Sequence, residues 1–324
     1  MEGGLLSSPD LAPLYDRAAW MYLFQDFSGS DANRRAERVA IRFGITAWPQ
    51  HFLIDPTDLR VIGSTGRKLA TFQEAFEGAG KIQGTPDPSP EKLAVYDALA
   101  EQIQTASSPA LAKEWLDHED IVVRYCAVAS LAKHEPAAVA AACKELLAVP
   151  HDQLRVLVCK VLKETPHADA APALEALLKN PSGSKNPNNL RVQVAAALAT
   201  CGSPASFAVL ARFGVGGSPN NTLTRTALDA IAAIAMGDPL GKGSTAREQA
   251  REILTRSFPV PLPAATEAEA SGKAAEQRGR NVARISDLAE EIHDHLIELT
   301  GIASSFPSPY DAAAREELMA RWQR

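Results

Sequence analysis

The residues best suited to chemistry in this sequence are its four cysteines, and their spacing does not favour dithiol chemistry. They are Cys126, Cys143, Cys159 and Cys201. No two of them form a C-x-x-C pair, and each lies in an Ala-, Leu- and Val-rich helical pattern. Free cysteine in such a pattern is typically a small buried residue. We therefore favour buried thiols over disulfides or zinc ligands.

Two short segments resemble reactive or ligand-binding motifs, and neither satisfies the chemistry it suggests. In EEIHDH, Glu291 and His295 share a helix face at i, i+4, but His293 points elsewhere, and two ligands do not make a metal site. In GDPLGKGS, the glycine spacing is too short for a phosphate loop, and Lys242 is followed by glycine rather than Ser or Thr. We predict no catalytic residues, no metal and no cofactor.

Composition and charge argue against several further classes of protein. The chain has 324 residues, of which 46% are apolar and 22% charged, and its net charge is −6 with a pI near 5.7. An acidic chain without clustered Lys and Arg is disfavoured as a nucleic-acid or anionic-membrane binder. No apolar run approaches the roughly 20 residues that span a bilayer. The N-terminus lacks signal-peptide features, so we expect a cytoplasmic protein, or an exported, periplasmic one if a signal peptide lies upstream.

The elements that must position any site fall into three predicted domains. Residues 1–85 mix strand and helix signals, with strands at His51–Asp55 and Arg60–Ser64 and a helix at Asn33–Phe43 that Gly44 ends. Residues 86–258 carry a helical repeat. Residues 259–324 form a linker, an amphipathic helix and a tail.

The repeat is anchored on four arginines that lie 31, 36 and 34 positions apart. Each is followed by small or apolar residues at +3 and +7, which place these residues on one face of a helix. Shorter helical segments precede each arginine helix, so the unit is helix–turn–helix. These segments are Pro109–Leu116, Ala137–Leu147, Ala168–Lys179 and Ser203–Phe213. Such units bury their apolar faces only by stacking. The repeat arginines, which we assign structural roles, are Arg124, Arg155, Arg191 and Arg225.

The pattern D-x-x-V-R-x-x-A-x-x-x-L, intact from Asp120 to Leu131, resembles HEAT repeats in their short bacterial form. This resemblance implies an α-solenoid, and its groove implies a protein or peptide partner. The inserts Ser182–Asn189 and Gly214–Asn221 interrupt two repeats, and we expect them to project from one side of the solenoid. The overall expectation is a mainly α fold, a HEAT-like α-solenoid with a small N-terminal α/β module.

The C-terminal helix carries apolar residues at 3-4-3-4-3 spacing over fewer than three heptads. We expect a capping helix that covers the last repeat, with dimerisation through this helix as the alternative; the chain is then a monomer or a dimer. Trp322 is expected to anchor the tail. The seam residues are Val282, Ile285, Ala289, Ile292, Leu296 and Leu299.

The segment FGITAWPQHFLIDPTDLRVIGSTG resembles the second half of a thioredoxin-like domain. The resemblance as a whole extends over about residues 18–80. The resemblance implies a cis peptide before Pro49 and a backbone-pairing surface at the loop, so we propose Trp48, Pro49 and Gln50 as tentative binding residues. No cysteine precedes Cys126. The C-x-x-C chemistry of that family therefore does not carry over.

Two alignments explain the missing thiols. In the favoured one, WMYLFQDF is the strand that precedes the proline-loop helix, and the strand–C-x-x-C–helix segment is absent. In the other, DFSGSDAN is a degenerate redox turn with Ser28 and Asp31 at the cysteine positions. Either way, this chain does not carry out dithiol exchange.

The leading hypothesis for function is a non-catalytic interaction or scaffold protein with a redox-inactive thioredoxin-like module. The alternative is an N-terminally truncated thiol-disulfide oxidoreductase whose C-x-x-C half lies upstream of Met1. A weaker third hypothesis is a short-HEAT lyase acting on a chromophore, which would need a cavity and a reactive cysteine.

Overall fold

The computed structural model describes residues 9–15, 30–45, 52–55, 61–64, 69–78, 89–219, 221–238, 244–266 and 269–323, and these residues are mainly helical. This confirms the expected mainly α class. None of the described helices is both long and apolar enough to cross a membrane. The chain divides between Glu135 and Pro136 into two compact units, whereas the sequence suggested a domain boundary near residue 85.

The first unit contains six helices and one strand pair among its described residues. The elements are α1 (Ala12–Tyr15), α2 (Asp31–Phe43), β1 (Phe52–Ile54), β2 (Val61–Ser64), α3 (Leu69–Gly78), α4 (Pro90–Thr105), α5 (Ala110–Glu114) and α6 (Ile121–His134). The two strands pair antiparallel, with Phe52 opposite Ser64 and an irregularity after Leu53. The predicted strand WMYLFQDF, and the predicted cis peptide before Pro49, lie outside the described residues.

Helix α2 forms where the sequence predicts it, because both of its ends are locally encoded. The Ser30 side chain accepts a hydrogen bond from the backbone N–H of Asn33, and Gly44 ends the helix in the left-handed conformation at φ 62°. One face of α2 buries Ala36, Ala40 and Ile41. Full burial of a side chain such as Ile41 contributes about 1.5–3 kcal/mol.

Ion pairs and a hydrogen bond connect α2 to α4 and to the start of α6. The Arg38 guanidinium is only 2% exposed and donates to Asp97 at 2.7 Å and to Gln104 at 2.8 Å, both on α4. Arg42 donates to the Asp120 carboxylate at 2.8 Å. Helix α2, which the sequence assigns to the α/β module, is therefore part of the same unit as the first repeat hairpin.

The second unit is built from helices in succession. They are α7 (Pro136–Ala141), α8 (Cys143–Ala148), α9 (Asp152–Glu164), α10 (Ala171–Lys179), α11 (Pro187–Cys201), α12 (Phe207–Gly214), α13 (Thr222–Met236), α14 (Thr245–Arg256), α15 (Gly272–Thr300) and α16 (Ala312–Trp322). Helix α11 packs between α9 and α13, and α10 packs against α8, α11 and α12. The single helix expected over 137–147 is split at Ala142 into α7 and α8.

Helix α15 packs against α13 and α14, and α16 packs against α14. The apolar seam of α15 is buried within the unit from Ile285 to Leu299, while Val282 at its start remains 44% exposed. His293 is also buried, lies edge-on to Phe306 and Trp322, and shares a hydrogen bond of 3.1 Å with the Ser304 hydroxyl. Trp322 is 2% exposed, so the tail is anchored as the sequence suggested.

Candidate functional site

The binding residues proposed from the proline loop, Trp48, Pro49 and Gln50, lie outside the described residues. Their role stays a prediction. The remaining candidates are described, and they fall into three places: the arginine positions of the repeats, the open face of α9 and α11, and a cluster of ionisable groups between α13 and α15.

The four repeat helices begin alike. Each has a polar N-cap side chain that accepts a backbone N–H of the first turn, and this N-cap lies four or five residues before the arginine. In α6 the cap is Asp120, the first residue of the D-x-x-V-R pattern, which also accepts the Arg42 ion pair. The acidic residue of the motif is thus explained by helix initiation. The four N-caps are Asp120, His151, Asn186 and Asn221.

The two central repeat arginines, Arg155 and Arg191, each donate a hydrogen bond to a backbone carbonyl near the end of the helix that precedes their own. Arg155 donates from Nε to Leu147 O at 2.9 Å and from Nη1 to Ser182 O at 2.7 Å. Arg191 donates from Nε to Leu178 O at 3.1 Å. Leu147 and Leu178 lie in the last turns of α8 and α10, where carbonyls lack helical partners. These two arginines therefore supply hydrogen-bond donors to carbonyls at the C-terminal ends of α8 and α10.

The two outermost repeat arginines vary this contact. Arg124 donates at 2.9 Å to His118 O and to Asp117 O, in the turn that precedes α6. Arg225 donates to Glu291 at 3.0 Å and to Arg284 O at 3.3 Å, both on α15. At the last repeat, the arginine therefore serves to hold the C-terminal helix.

The first insert is held against the start of α9, whereas the sequence suggested an insert that projects from one side of the solenoid. The Asp152 carboxylate accepts the backbone N–H groups of Lys185 at 2.9 Å and Asn186 at 3.0 Å. Gly183 adopts φ +71° with its α-carbon against Pro150, so an added Cβ would lie 2.8 Å from the proline ring. Together with the Arg155 bond to Ser182, these contacts fold the insert back onto the start of α9.

Helices α9 and α11 expose side chains at equivalent repeat positions. The two helices are offset by 36 residues, measured from Arg155 to Arg191, and the same offset relates both rows of open positions. Every residue in these rows is half-buried or exposed, whereas the equivalent row of α13 is buried. The rows are Gln153, Leu157, Lys160 and Glu164 on α9, and Asn189, Gln193, Ala196 and Thr200 on α11.

A hydrogen bond also links the two packed helices that carry these rows. The Thr200 hydroxyl donates to Leu162 O at 3.1 Å, which ties the end of α11 to α9. The rows combine apolar Leu157 and Ala196 with the charges of Lys160 and Glu164. The rows therefore form a surface of mixed polarity.

The ionisable cluster joins α13 to α15. Asp229, one turn after Arg225 on α13, meets Glu291 and His295, which lie one turn apart on α15. One ligand atom from each of Asp229, Glu291 and His295 lies within 4.8 Å of the others. His295 Nε2 lies 2.9 Å from Asp229 Oδ1, and Arg225 Nη1 lies 3.0 Å from Glu291 Oε2.

The environment shifts the pKa of two groups in this cluster upward. Burial raises the pKa of the Glu291 carboxyl, and the neighbouring charge of Asp229 raises it further, while Arg225 acts in the opposite direction. Burial disfavours the charged form of His295, but its hydrogen bond to Asp229 and the carboxylates around it prevail, so its pKa lies above the usual value. The surroundings of the cluster thus favour the protonated forms of Glu291 and His295.

The cysteines provide no reactive thiol. All four are free and buried. Burial raises the pKa of Cys126 and Cys159 to about 12, and it also raises the pKa of Cys143. Cys201 donates its thiol to Leu162 O at 3.5 Å. Because the thiolate is the nucleophile, these positions are unsuited to exchange chemistry.

Comparison with known proteins gave no match to a family model, to a curated protein sequence or to a solved structure. The resemblances to HEAT repeats and to a thioredoxin-like domain therefore stay predictions. The arguments about function rest on the contacts described above.

The sequence revealed two members of the ionisable cluster and missed the third. Glu291 and His295 were recognised as neighbours on one helix face, but Asp229 is 62 positions before Glu291 and on another helix. One signal was available. Asp229 is an acidic residue on an otherwise small and apolar stretch of α13, one turn after Arg225, where a solvated charge is not expected.

Proposed function

We propose that this chain is a non-catalytic interaction or scaffold protein whose helical hairpins form a HEAT-like α-solenoid. Its N-terminal module would be a redox-inactive relative of thioredoxin-like domains. The observation that carries the proposal is the shared open face of α9 and α11, in which repeat-equivalent positions stay accessible on two neighbouring helices.

The contacts of the arginines support the stacked arrangement that a solenoid needs. Arg155 and Arg191 occupy the same repeat position, and each satisfies a carbonyl in the last turn of the helix before its own. The apolar positions three and seven residues further, such as Val158 and Leu162, are fully buried. The same closing contact in these two successive hairpins is what a stacked repeat would require.

The partner we propose is a protein or peptide segment lying across α9 and α11. Leu157 and Ala196 would supply its apolar contacts, while Lys160 and Glu164 would orient it. Thiol chemistry takes no part in this function, because burial suppresses the thiolate form of Cys126 and Cys159. The burial of these thiols therefore weighs against disulfide exchange by these four cysteines.

The proposal is tested by placing charge on the shared face. The double variant Leu157→Glu/Ala196→Glu keeps good helix formers at both positions. We expect it to weaken partner binding by at least about tenfold, since charging the centre of an interface removes its strongest contacts. The measurement is recovery of the partner on the immobilised chain, followed by titration of that partner against each variant.

The matched control is Val95→Glu/Val260→Glu, which adds the same two negative charges at apolar residues that are 65% and 70% exposed and lie outside both rows. It should bind the partner as the unmodified chain does, and all chains should melt at similar temperatures. Equal binding by the double variant would rule out the α9–α11 face. Thiol-dependent reduction of a disulfide substrate by the unmodified chain would contradict the proposal that its thiols take no part in the function.

A further inference from the structure

The cluster between α13 and α15 contains three side chains of the types that bind metal ions, and the proposed interaction function does not use them. Asp229 comes from α13, and Glu291 and His295 come from α15. Their nearest ligand atoms all lie within 4.8 Å of one another. Because both helices are long and packed together, the three side chains have rigid supports.

We propose that Asp229, Glu291 and His295 bind a divalent transition-metal ion, for which Zn²⁺ is the best match. One imidazole nitrogen and two carboxylate oxygens form a ligand set that zinc accepts, with metal–ligand distances of about 2.0–2.2 Å. The imidazole distinguishes this set from the all-oxygen sites that Mg²⁺ and Ca²⁺ prefer. The inference goes beyond the proposed interaction function and does not depend on it.

The geometry is close to what a tetrahedral ion needs. Ligands about 2.1 Å from a tetrahedral ion are about 3.4 Å from one another. His295 Nε2 and Asp229 Oδ1 are already 2.9 Å apart. The longest separation in the set, up to 4.8 Å, closes by rotation of half-exposed side chains rather than by movement of a helix.

The charge balance around the cluster also favours a cation. Two carboxylates from different helices are held side by side, and in the absence of a metal they are offset by Arg225, which contacts Glu291 Oε2 at 3.0 Å. The other Glu291 oxygen is then free of that contact. Arg225 can keep its bond to Oε2 and orient the carboxylate, as a hydrogen-bonding partner of a ligand commonly does.

The ion would have an entry path and an open coordination position. None of the three side chains is fully buried, and Asp229 is 46% exposed. Three protein ligands leave at least one position for water on a four-coordinate ion. The consequence for the fold is that zinc would bridge α13 and α15 and hold the C-terminal helix against the last repeat.

The test is isothermal titration of the full chain with ZnCl₂ after removal of metal with a chelator. We expect one saturable site with a stoichiometry near 1:1, a melting temperature that rises with zinc concentration, and little response to MgCl₂. Substitution with Co²⁺ should give the visible absorption of a four-coordinate ion with nitrogen and oxygen ligands.

The variants His295→Ala and Glu291→Gln should each weaken zinc binding by at least about 100-fold, more than the loss typical of an outer hydrogen-bonding partner. The control is His134→Ala, which removes an exposed histidine at the end of α6. It should bind zinc as the unmodified chain does. Circular dichroism of the metal-free variants separates loss of the site from loss of the fold.

Two results would overturn the proposal. One is the absence of a saturable site in the unmodified chain. The other is equal zinc affinity in the unmodified chain and in a folded His295→Ala chain, which would assign the binding to adventitious surface histidines. Neither result bears on partner binding at α9 and α11, so the two proposals fail separately.

Discussion

Replacing Arg155 with alanine is expected to lower the free energy of unfolding of the second unit by about 3 kcal/mol. The Arg155 side chain is 2% exposed and donates to Leu147 O at 2.9 Å, Ser182 O at 2.7 Å and Ala148 O at 3.4 Å. Alanine leaves these carbonyls without a donor at a place that water reaches poorly. The measurement is urea denaturation followed by circular dichroism.

Arg191→Ala is the matched comparison, because Arg191 holds the equivalent position one repeat later. It makes one carbonyl bond, to Leu178 O at 3.1 Å, and lies over the Phe213 ring at 5.6 Å, but its side chain is half-buried. Water can replace part of what is lost, so we expect a cost of about 1 kcal/mol. Equal costs for the two variants would contradict the role given to burial and to the Ser182 contact.

A second variant separates charge from geometry. Arg155→Lys keeps the positive charge but lacks the planar fork that reaches two carbonyls in different directions. It should recover less than half of the stability lost in Arg155→Ala. Full recovery by lysine would mean that charge alone, rather than the directed hydrogen bonds, stabilises the junction of α8, the insert and α9.

The native thiols are expected to react with a disulfide reagent at pH 8 at least about 30-fold more slowly than the thiols of the unfolded chain, because the greater nucleophilicity of a high-pKa thiolate offsets only part of the lost thiolate fraction. Burial raises the pKa of Cys126 and Cys159 from 9.0 to about 12, and each unit of pKa lowers the thiolate fraction tenfold. Cys143 and Cys201 are buried as well, and their burial restricts the access of the reagent to their own thiols. The measurement is the rate of thiolate release on reaction with Ellman's reagent.

The control for this experiment is the same protein in guanidinium chloride, where all four cysteines should react rapidly. Mass spectrometry identifies any cysteine that is labelled in the folded chain. A native thiol that reacts at the rate of an exposed one would contradict the buried environment described here. It would also supply the reactive cysteine that the lyase hypothesis needs.

The sequence predicts elements well where their ends are encoded locally. The end of α2 follows from Gly44, although the helix begins at Asp31 rather than at the predicted Asn33. Helix α15 follows from its 3-4 apolar spacing, which matches the buried residues from Ile285 to Leu299. The repeat arginines were found because a 31- to 36-residue period brings similar helices into alignment. These signals lie within one turn or one helix, so they need no knowledge of the fold.

The sequence fails where the decisive contact is distant along the chain. The hold of Asp152 on the backbone of the first insert spans 33 residues, and the meeting of Asp229 with Glu291 and His295 spans more than 60. The break at Ala142 has no local signal either, since the surrounding AAVAAACKELL contains no proline or glycine. Packing between helices decides these features, and one helix cannot encode the packing alone.

Site-specific photo-crosslinking on α9 and α11 tests directly whether the shared face of these two helices binds a partner. A photoreactive residue is placed at Leu157 or Ala196, and for comparison at the exposed Ala176 of α10 or Ala208 of α12. If the partner binds this face, the same partner is captured from positions 157 and 196, and not from positions 176 and 208. Capture from α10 or α12 alone would contradict binding at this face, because the binding surface would then lie on the other helix of each pair.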